Sequence, residues 1–406
     1  MDIAHDRNDI GPVIDAIVRE IAPSLVEIRR DIHAHPEIGF EVERTAGVVA
    51  AELTRLGIAC KTGVGRTGVV ADIQGSAPGP RLVIRADMDA LPMQETTGLP
   101  YASTIPGRMH ACGHDLHTAT LIGVGAVLSQ LSGKLSGSIR LVFQPAEETI
   151  DSGAAAMIAD GALEGVDMAL GFHNEPSVPA GKIAYIRGAS FASADSFQIV
   201  VEGRSGHAAQ PHEAVDPIVA AGHLLTQLQT IVSRELNPIR SAVVTVGRIE
   251  GGDAYNIIPN RCTMAGTVRT RSPEARDAIE AAMKRICAGV SLVHRVDCKV
   301  DYRRNLPPVM SADGLLDLTV EAVRQQGGDV IEVEGGFGAE DFAFFSERVP
   351  SSHIRIGSGQ PGREDRVHNS NYQPDEGSIA AGVRALSRTA FELLGNPRAS
   401  ERHRPQ

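Results

Sequence analysis

The chain has 406 residues, 42% hydrophobic and 22% charged, enough for two or three domains with a substantial buried core. Its 39 Lys and Arg against 50 Asp and Glu leave a formal net charge of −11 with no basic block, which excludes nucleic acid and anionic membrane surfaces as expected partners. The five cysteines are scattered, and neither a basic-then-apolar leader nor an apolar run of membrane length is found, so a reducing, cytoplasmic setting is expected.

In chain order, Ile14, Ile17, Ile21, Leu25, Ile28 and Ile32 recur at spacings of three and four and predict an amphipathic helix over 12–32. "RLVIRADMDALP" reads as a buried strand opening into a loop. "DLHTATLIGVGAVLSQL" reads as a helix starting near Asp115. "GSIRLVFQPAEE" and "VDMALGFHNEP" are two more strands, stopped by Pro145 and near Pro176. Strands alternating with helices predict an α/β layer fold around a central sheet. Three of these strands run out into ionisable residues, and ligand sites in such sheets lie beyond strand ends.

From residue 188 the pattern changes. "DSFQIVVEG", a helix around 214–235, "SAVVTVGRIEGG", "RCTMAGTVRT", a helix around 274–290 and "VHRVDCKVDY" follow in order, an α+β succession. From about 303 the earlier pattern returns, with a helix near 311–326, a short strand "HIRIGSG" and an amphipathic helix near 376–394. The expectation is a discontinuous α/β domain of residues 1–187 and 303–406, with 188–302 inserted as a second domain. The tail "NPRASERHRPQ" reads as frayed.

Candidate chemistry gathers at the strand ends. Cys112 and His114 flank a glycine in "HACGHDLH" and can converge on one ion, although a lone buried cysteine is more often a small apolar side chain. His110 and His117 read as packing or capping residues. Glu147 and Glu148 adjoin after Pro145, where one carboxylate could hold a metal and the other act as general base. His173 and His368 each sit in a loop, and Asp87 and Asp89 end the "RADMDALP" strand, where buried carboxylates need metal, imidazole or backbone partners. A mixed sulfur, nitrogen and oxygen set suits zinc, manganese or cobalt better than calcium or magnesium. Five ligands exceed one closed tetrahedral site, so two ions are expected. In the inserted segment His207, His212, Asn256, Arg261 and Arg269 stand out. Arg269 is on the more polar face of its strand and could grip a carboxylate, but on these residues alone it reads as a surface arginine.

Taken in order, "HAHPEIGFEVERTA", "RADMDALPMQE", "MHACGHDLHTA", "FQPAEE", "GRSGHAAQPHEAVDPI", "NIIP" and "GAEDFAFF" resemble the metal-dependent aminoacylase/hippurate hydrolase family. That family includes auxin-conjugate amidohydrolases and stands among the co-catalytic metallopeptidases. The resemblance spans about residues 20–395. It implies a catalytic domain with a central mixed sheet flanked by helices and an inserted lid and dimerisation domain. It implies Cys112, His114, Glu148, His173 and His368 as ligands of two divalent ions (Zn, Mn, Co or Ni), with Cys112 bridging, and Glu147 as general base toward a metal-activated water. Asp89 would orient a ligand. His207 would donate to the oxyanion from a lid that reaches a partner subunit, and Asn256 and Arg269 would hold the substrate's carboxylate. The implied substrate is an N-acyl amino acid and the implied assembly a homodimer or dimer-based homo-oligomer. Two departures stand out: Asp87 and Cys112 occupy positions where wider relatives often carry His and Asp, and Glu175 stands where an aromatic is common. The rival expectations are a dipeptidase or carboxypeptidase on the same scaffold, and a non-catalytic metal- or peptide-binding protein.

Overall fold

The computed structural model describes residues 10–325 and 327–395. The tail expected to fray, 396–406, lies outside the described residues. The chain divides into two compact units. One comprises the chain up to Ser190, Met310–Glu334 and the residues from Phe344 onward; the other comprises Phe191–Val309 and Gly335–Ala343. Residues 335–343, which the sequence reading groups with the flanking pieces, cluster with the inserted unit. Their backbone explains this, since Gly338 accepts the N–H of Ala192 at 2.8 Å and Gly335 accepts from Arg271 at 3.1 Å.

The larger unit is built on an eight-stranded mixed sheet. Its centre is four adjacent parallel strands, Ser136–Gln144, Ala77–Asp87, Met168–Pro179 and Ser351–Gly359. Because these four run the same way, their carboxyl ends share one edge. That edge carries Glu147, Glu148 and Asp89, while His173 lies inside strand Met168–Pro179, paired with Arg355, and not in a loop as the sequence suggests. The α/β expectation therefore holds, and the strand-end rule for ligand sites applies to it. Helices Ile10–Ala34, His114–Gln130 and Gly377–Leu394 pack on one another in the core, where Leu25, Leu116, Leu121, Val127 and Val383 are buried. Helix His114–Gln130 is buried on nearly every side. This explains its continuous apolar run, which carries little face-to-face contrast.

Boundaries differ from expectation in three places. The helix begins at His114, not Asp115, because Gly113 adopts a left-handed φ of 87° and serves as its N-cap. The strand after Asp167 runs through Pro176 to Pro179, where an irregularity in register between Gly357 and Gly359 accommodates it. Helix Glu43–Arg55 and the antiparallel pair Cys60–Val64 and Gly68–Gln74 were not anticipated from the sequence.

The smaller unit holds a four-stranded antiparallel sheet in the order Ala242–Gly251, Arg261–Thr270, Ala194–Glu202, Asp297–Leu306. Helices Pro217–Thr230 and Pro273–His294 share its core with Ile199, Val201, Leu224, Met264, Val268 and Met283. Cys262, Met264 and Val268 are buried while Thr263, Thr267 and Arg269 are not, so strand Arg261–Thr270 alternates as its sequence reads. No described helix is long and apolar enough to cross a membrane.

Candidate metal centre

The turn after strand Ser136–Gln144 enters an unusual backbone state: Ala146 has a φ of 53°. This aims the next two residues back at the neighbouring strand end. There the carboxylate of Asp89 receives the N–H of Glu147 on Oδ1 at 3.0 Å and the N–H of Glu148 on Oδ2 at 3.1 Å. The same Oδ1 lies 3.4 Å from Nδ1 of His114. One buried carboxylate thus sets the mutual placement of three side chains expected at the site.

Around His114 the expected ligands converge. Nε2 of His114 lies 3.9 Å from Oε1 of Glu148 and 4.0 Å from Oε2 of Glu147. Sγ of Cys112 lies 3.3 Å from Nε2 of His173, and Nε2 of His368 lies 3.0 Å from Oε1 of Glu148. The ligand atoms of Cys112, His114 and His173 fall within 4.8 Å of one another, as do those of Cys112, Glu148 and His368 and those of His114, Glu147 and Glu148. The loop of His368 is tied in by its own N–H, which donates to the carbonyl of Ala111 at 2.8 Å. His368 has a φ of 60°.

The arrangement fits divalent ions on its own evidence. Nε2 of His114 is fully buried and has no hydrogen-bond partner among the described residues, which is costly for a polar atom unless something else fills the position. Burial works against an imidazolium at His114, yet Asp87, Asp89 and Glu148 outweigh it and lift its pKa to about 10. A field this negative draws in a cation, and a divalent ion competes with the proton for the ring nitrogen. Burial, reinforced by the charges of Glu148, Glu147 and Asp87, pushes the Cys112 thiol well above its usual range. Burial holds His173 well below the ordinary imidazole value, so its ring is neutral. Its Nδ1 donates to the carbonyl of Asn174 at 2.6 Å, so Nε2, which faces Sγ of Cys112, is the unprotonated nitrogen that a ligand imidazole presents. Burial opposes ionisation of Glu148, but its bond to His368 and the nearby His114 keep its pKa low.

Asp87 and His117 stand one layer behind. Nδ1 of His117 donates to Oδ1 of Asp87 at 2.6 Å, and Nε2 accepts the N–H of Asn174 at 2.9 Å. Both ring nitrogens are thereby used, so His117 packs the site rather than entering it. Arg85 holds the other Asp87 oxygen at 2.5 Å. Sequence reasoning passed over Asn174, whose side chain donates to the carbonyl of Cys112 at 2.5 Å and receives the hydroxyl of Tyr372. It also gave no role to Arg29, His33 and Glu95. The signal available for these was the general one that buried polar residues need partners.

Within the smaller unit, His207 and Asn256 are neighbours. Strands Gly206–His207 and Ile257–Ile258 pair, and the N–H of Ala208 donates to the carbonyl of Asn256 at 3.1 Å. His207 is exposed, and its Nδ1 accepts the N–H of Ala209 at 3.0 Å, so in the neutral ring the proton is on Nε2. Arg269 is not with them. It is near the opposite end of strand Arg261–Thr270, about 26 Å along the strand from Arg261 at ~3.3 Å per residue.

Residues 83–392 match the family described as Peptidase family M20/M25/M40. The chain belongs to that family. It is 38% identical over 91% of its length to N-acetylcysteine deacetylase of Bacillus subtilis, covering 97% of that protein. It is 36% identical over 93% of its length to thermostable carboxypeptidase 1 of Saccharolobus solfataricus, covering 97% of that protein. Among solved structures it resembles a Bacillus subtilis dinuclear metal binding peptidase from the M20 family, with a TM-score of 0.83 and 34% identity, over 92% of this chain and 98% of that one. The M20 chain is thus an amidohydrolase of the aminoacylase/hippurate hydrolase type, and its clustered ligand atoms are suited to two divalent ions.

Proposed function

We propose that the chain hydrolyses the amide bond of N-acyl amino acids, releasing a carboxylic acid and a free amino acid. The observation that carries this reading is the pair Glu147 and Glu148, both fixed by Asp89 and both about 4 Å from His114, of which Glu148 also meets His368 at 3.0 Å. The extra imidazole at Glu148 supports a division of labour between a ligand carboxylate and a base. Cys112, His114, Glu148, His173 and His368 would hold the two ions. Bound there, such ions supply Lewis acidity and a water acidified toward neutral pH.

The rest is done by side chains of the chain. Glu147 takes the proton of the attacking water and later delivers it to the leaving amine. His207, with its Nε2 proton, donates to the developing oxyanion. Asn256 and Arg269 hold the free carboxylate of the amino acid. The placement of Arg269 near the far end of strand Arg261–Thr270, with His207 and Asn256 together elsewhere in the unit, supports their serving different copies. If Arg269 and His207 act on one small substrate, one of them comes from a second copy, which is the reason to propose a homodimer or dimer-based oligomer.

Glu147→Gln is the direct test. It should lower kcat by on the order of a hundredfold to ten-thousandfold with ion content unchanged. Near-normal turnover would remove Glu147 as base. The 36% identity to a carboxypeptidase favours one second reading, hydrolysis of peptides with a free C-terminus. A peptide's terminal carboxylate presents the same group to Arg269, so a parallel assay of acyl-amino acids and dipeptides separates the two.

A further inference from the structure

Behind the ligand-bearing run 110–115 lies a group of charged side chains that the proposed chemistry leaves unused. Asp115 directly follows His114 and is fully buried. Its Oδ2 is 2.7 Å from Nε of Arg29 and 2.8 Å from Nδ1 of His33. The other ring nitrogen of His33 is 3.3 Å from Oε1 of Glu95. With a carboxylate on each side, both nitrogens of His33 carry protons, so two buried cations face two carboxylates. Arg29 also approaches Nδ1 of His33 at 3.3 Å, but Oδ2 of Asp115 is the nearer and shared acceptor. Burial disfavours the charged ring, yet Asp115 and Glu95 raise its pKa above the ordinary value.

This group ties several segments together. Arg29 and His33 come from helix Ile10–Ala34, and Arg29 also reaches Glu376 at 3.2 Å. Glu95 receives the N–H of Ser103 at 2.7 Å and the hydroxyl of Thr97. The ring of His110, two residues before Cys112, packs 6.2 Å from that of His33. Stability gives no reason for such an arrangement, since a buried ion cluster is commonly matched or bettered by apolar side chains of similar volume. What four buried charges do supply is direction, because each acceptor has one place to be. The run 110–115 is then pinned from two sides, by Asn174 at the Cys112 carbonyl and by Arg29 and His33 at Asp115.

We propose that Arg29 and His33 are positioning residues that hold Asp115, and through it Cys112 and His114, in the geometry that receives the ions. The inference rests on the reading of Cys112 and His114 as ligands. No route in it depends on His33 touching substrate.

The test compares four variants by two readouts. The readouts are the dissociation constant for Zn(II) or Mn(II) alone, by chelator competition, and hydrogen exchange of backbone amides in the metal-free protein. His33→Gln, which cannot donate to both carboxylates, should weaken ion binding by about tenfold or more. It should also speed exchange selectively at 95–103 and 110–117. The double variant Arg29→Met with Asp115→Leu leaves no charge stranded between that pair. It should show the same two effects, which keeps the test valid if His33→Gln folds poorly. Val383→Ala, a cavity in the core of helix Gly377–Leu394, serves as the purely destabilised control and should change neither readout. Cys112→Ser tests the ligand reading itself and should lose ion affinity without speeding exchange at 95–103. Unchanged affinity in Cys112→Ser overturns the ligand reading. Unchanged affinity or exchange in His33→Gln, beside loss in Cys112→Ser, overturns the positioning inference alone.

Discussion

The backbone N–H of Glu147 donates to Oδ1 of Asp89 at 3.0 Å, so the base proposed for the reaction is aimed by a carboxylate on a different strand end. The second oxygen of Asp89 takes the N–H of Glu148 in the same way, at 3.1 Å. An asparagine has one acceptor where Asp89 has two, and its amide would turn a donor toward one of these N–H groups. Asp89→Asn should therefore lower kcat by about tenfold to a hundredfold and weaken ion binding, with KM less affected. Steady-state kinetics with elemental analysis of the same preparation checks both effects.

Ion uptake should depend on pH with a definite sign. His114, lifted to about 10, and Cys112, pushed well above its usual range, both hold protons near neutrality. His173 is neutral already, and Glu148 is ionised, so neither has a proton to lose. Ion binding must displace the protons of His114 and Cys112. Affinity should rise with pH across the neutral range, with roughly one to two protons released per chain. Titration calorimetry in two buffers of different ionisation enthalpy counts them. Release of none would mean that Cys112 and His114 are not the ligands.

The part of this site that could be read in the sequence is the part written in strand ends. "FQPAEE", "GFHNEP" and "RADMDALP" announce themselves because an apolar run stops at ionisable residues, and parallel strands bring those stops to one edge. The supporting layer was not legible. Arg29 and His33 sit in a helix whose apolar period was clear, but the period gives no partner for a polar residue on the inner face, and Asp115 and Glu95 are 82 and 62 residues away from His33. Tyr372 and Asn174 meet across 198 residues, a pairing that only the assembled sheet creates. The helix starts one residue before Asp115, whose carboxylate is spent on Arg29 and His33 rather than on the helix end. The segment 335–343 groups with the inserted unit through its own backbone carbonyls, which leave no mark in composition.

Gly113 is required by both its backbone and its surroundings. Its φ of 87° is strained for any side chain, and a Cβ there would meet Nδ2 of Asn174 at 2.4 Å. That amide is the one that holds the Cys112 carbonyl. Gly113→Ala should destabilise the protein by about 1–3 kcal/mol through the backbone strain alone. It should also cost ion affinity, because relief of the clash moves Asn174 off Cys112. Denaturant unfolding of the metal-free protein measures the first effect and chelator competition the second. A variant with unchanged stability would show that the loop has another conformation open to it.

The separation of His207 from Arg269 leads to a test of assembly that needs no structure of the dimer. Glu147→Gln chains lack the base but keep a working His207, and His207→Ala chains have the reverse. Suppose His207 serves its own chain. Then every site in a mixture lacks one function, and mixing restores nothing. Suppose instead that it serves the partner. Then each heterodimer has one site with an intact Glu147 and an intact His207 supplied across the interface. In an equal random mixture about half the dimers are heterodimers, so about a quarter of wild-type activity should return. The parent homodimers should each remain low, His207→Ala by on the order of a hundredfold, the scale for loss of one oxyanion donor. Activity after co-refolding or subunit exchange, compared with unmixed controls, reads this directly. Recovery near a quarter supports the arrangement in trans. Failure to recover, with exchange confirmed by mass spectrometry of differently tagged chains, would place His207 and Arg269 in separate roles within one subunit.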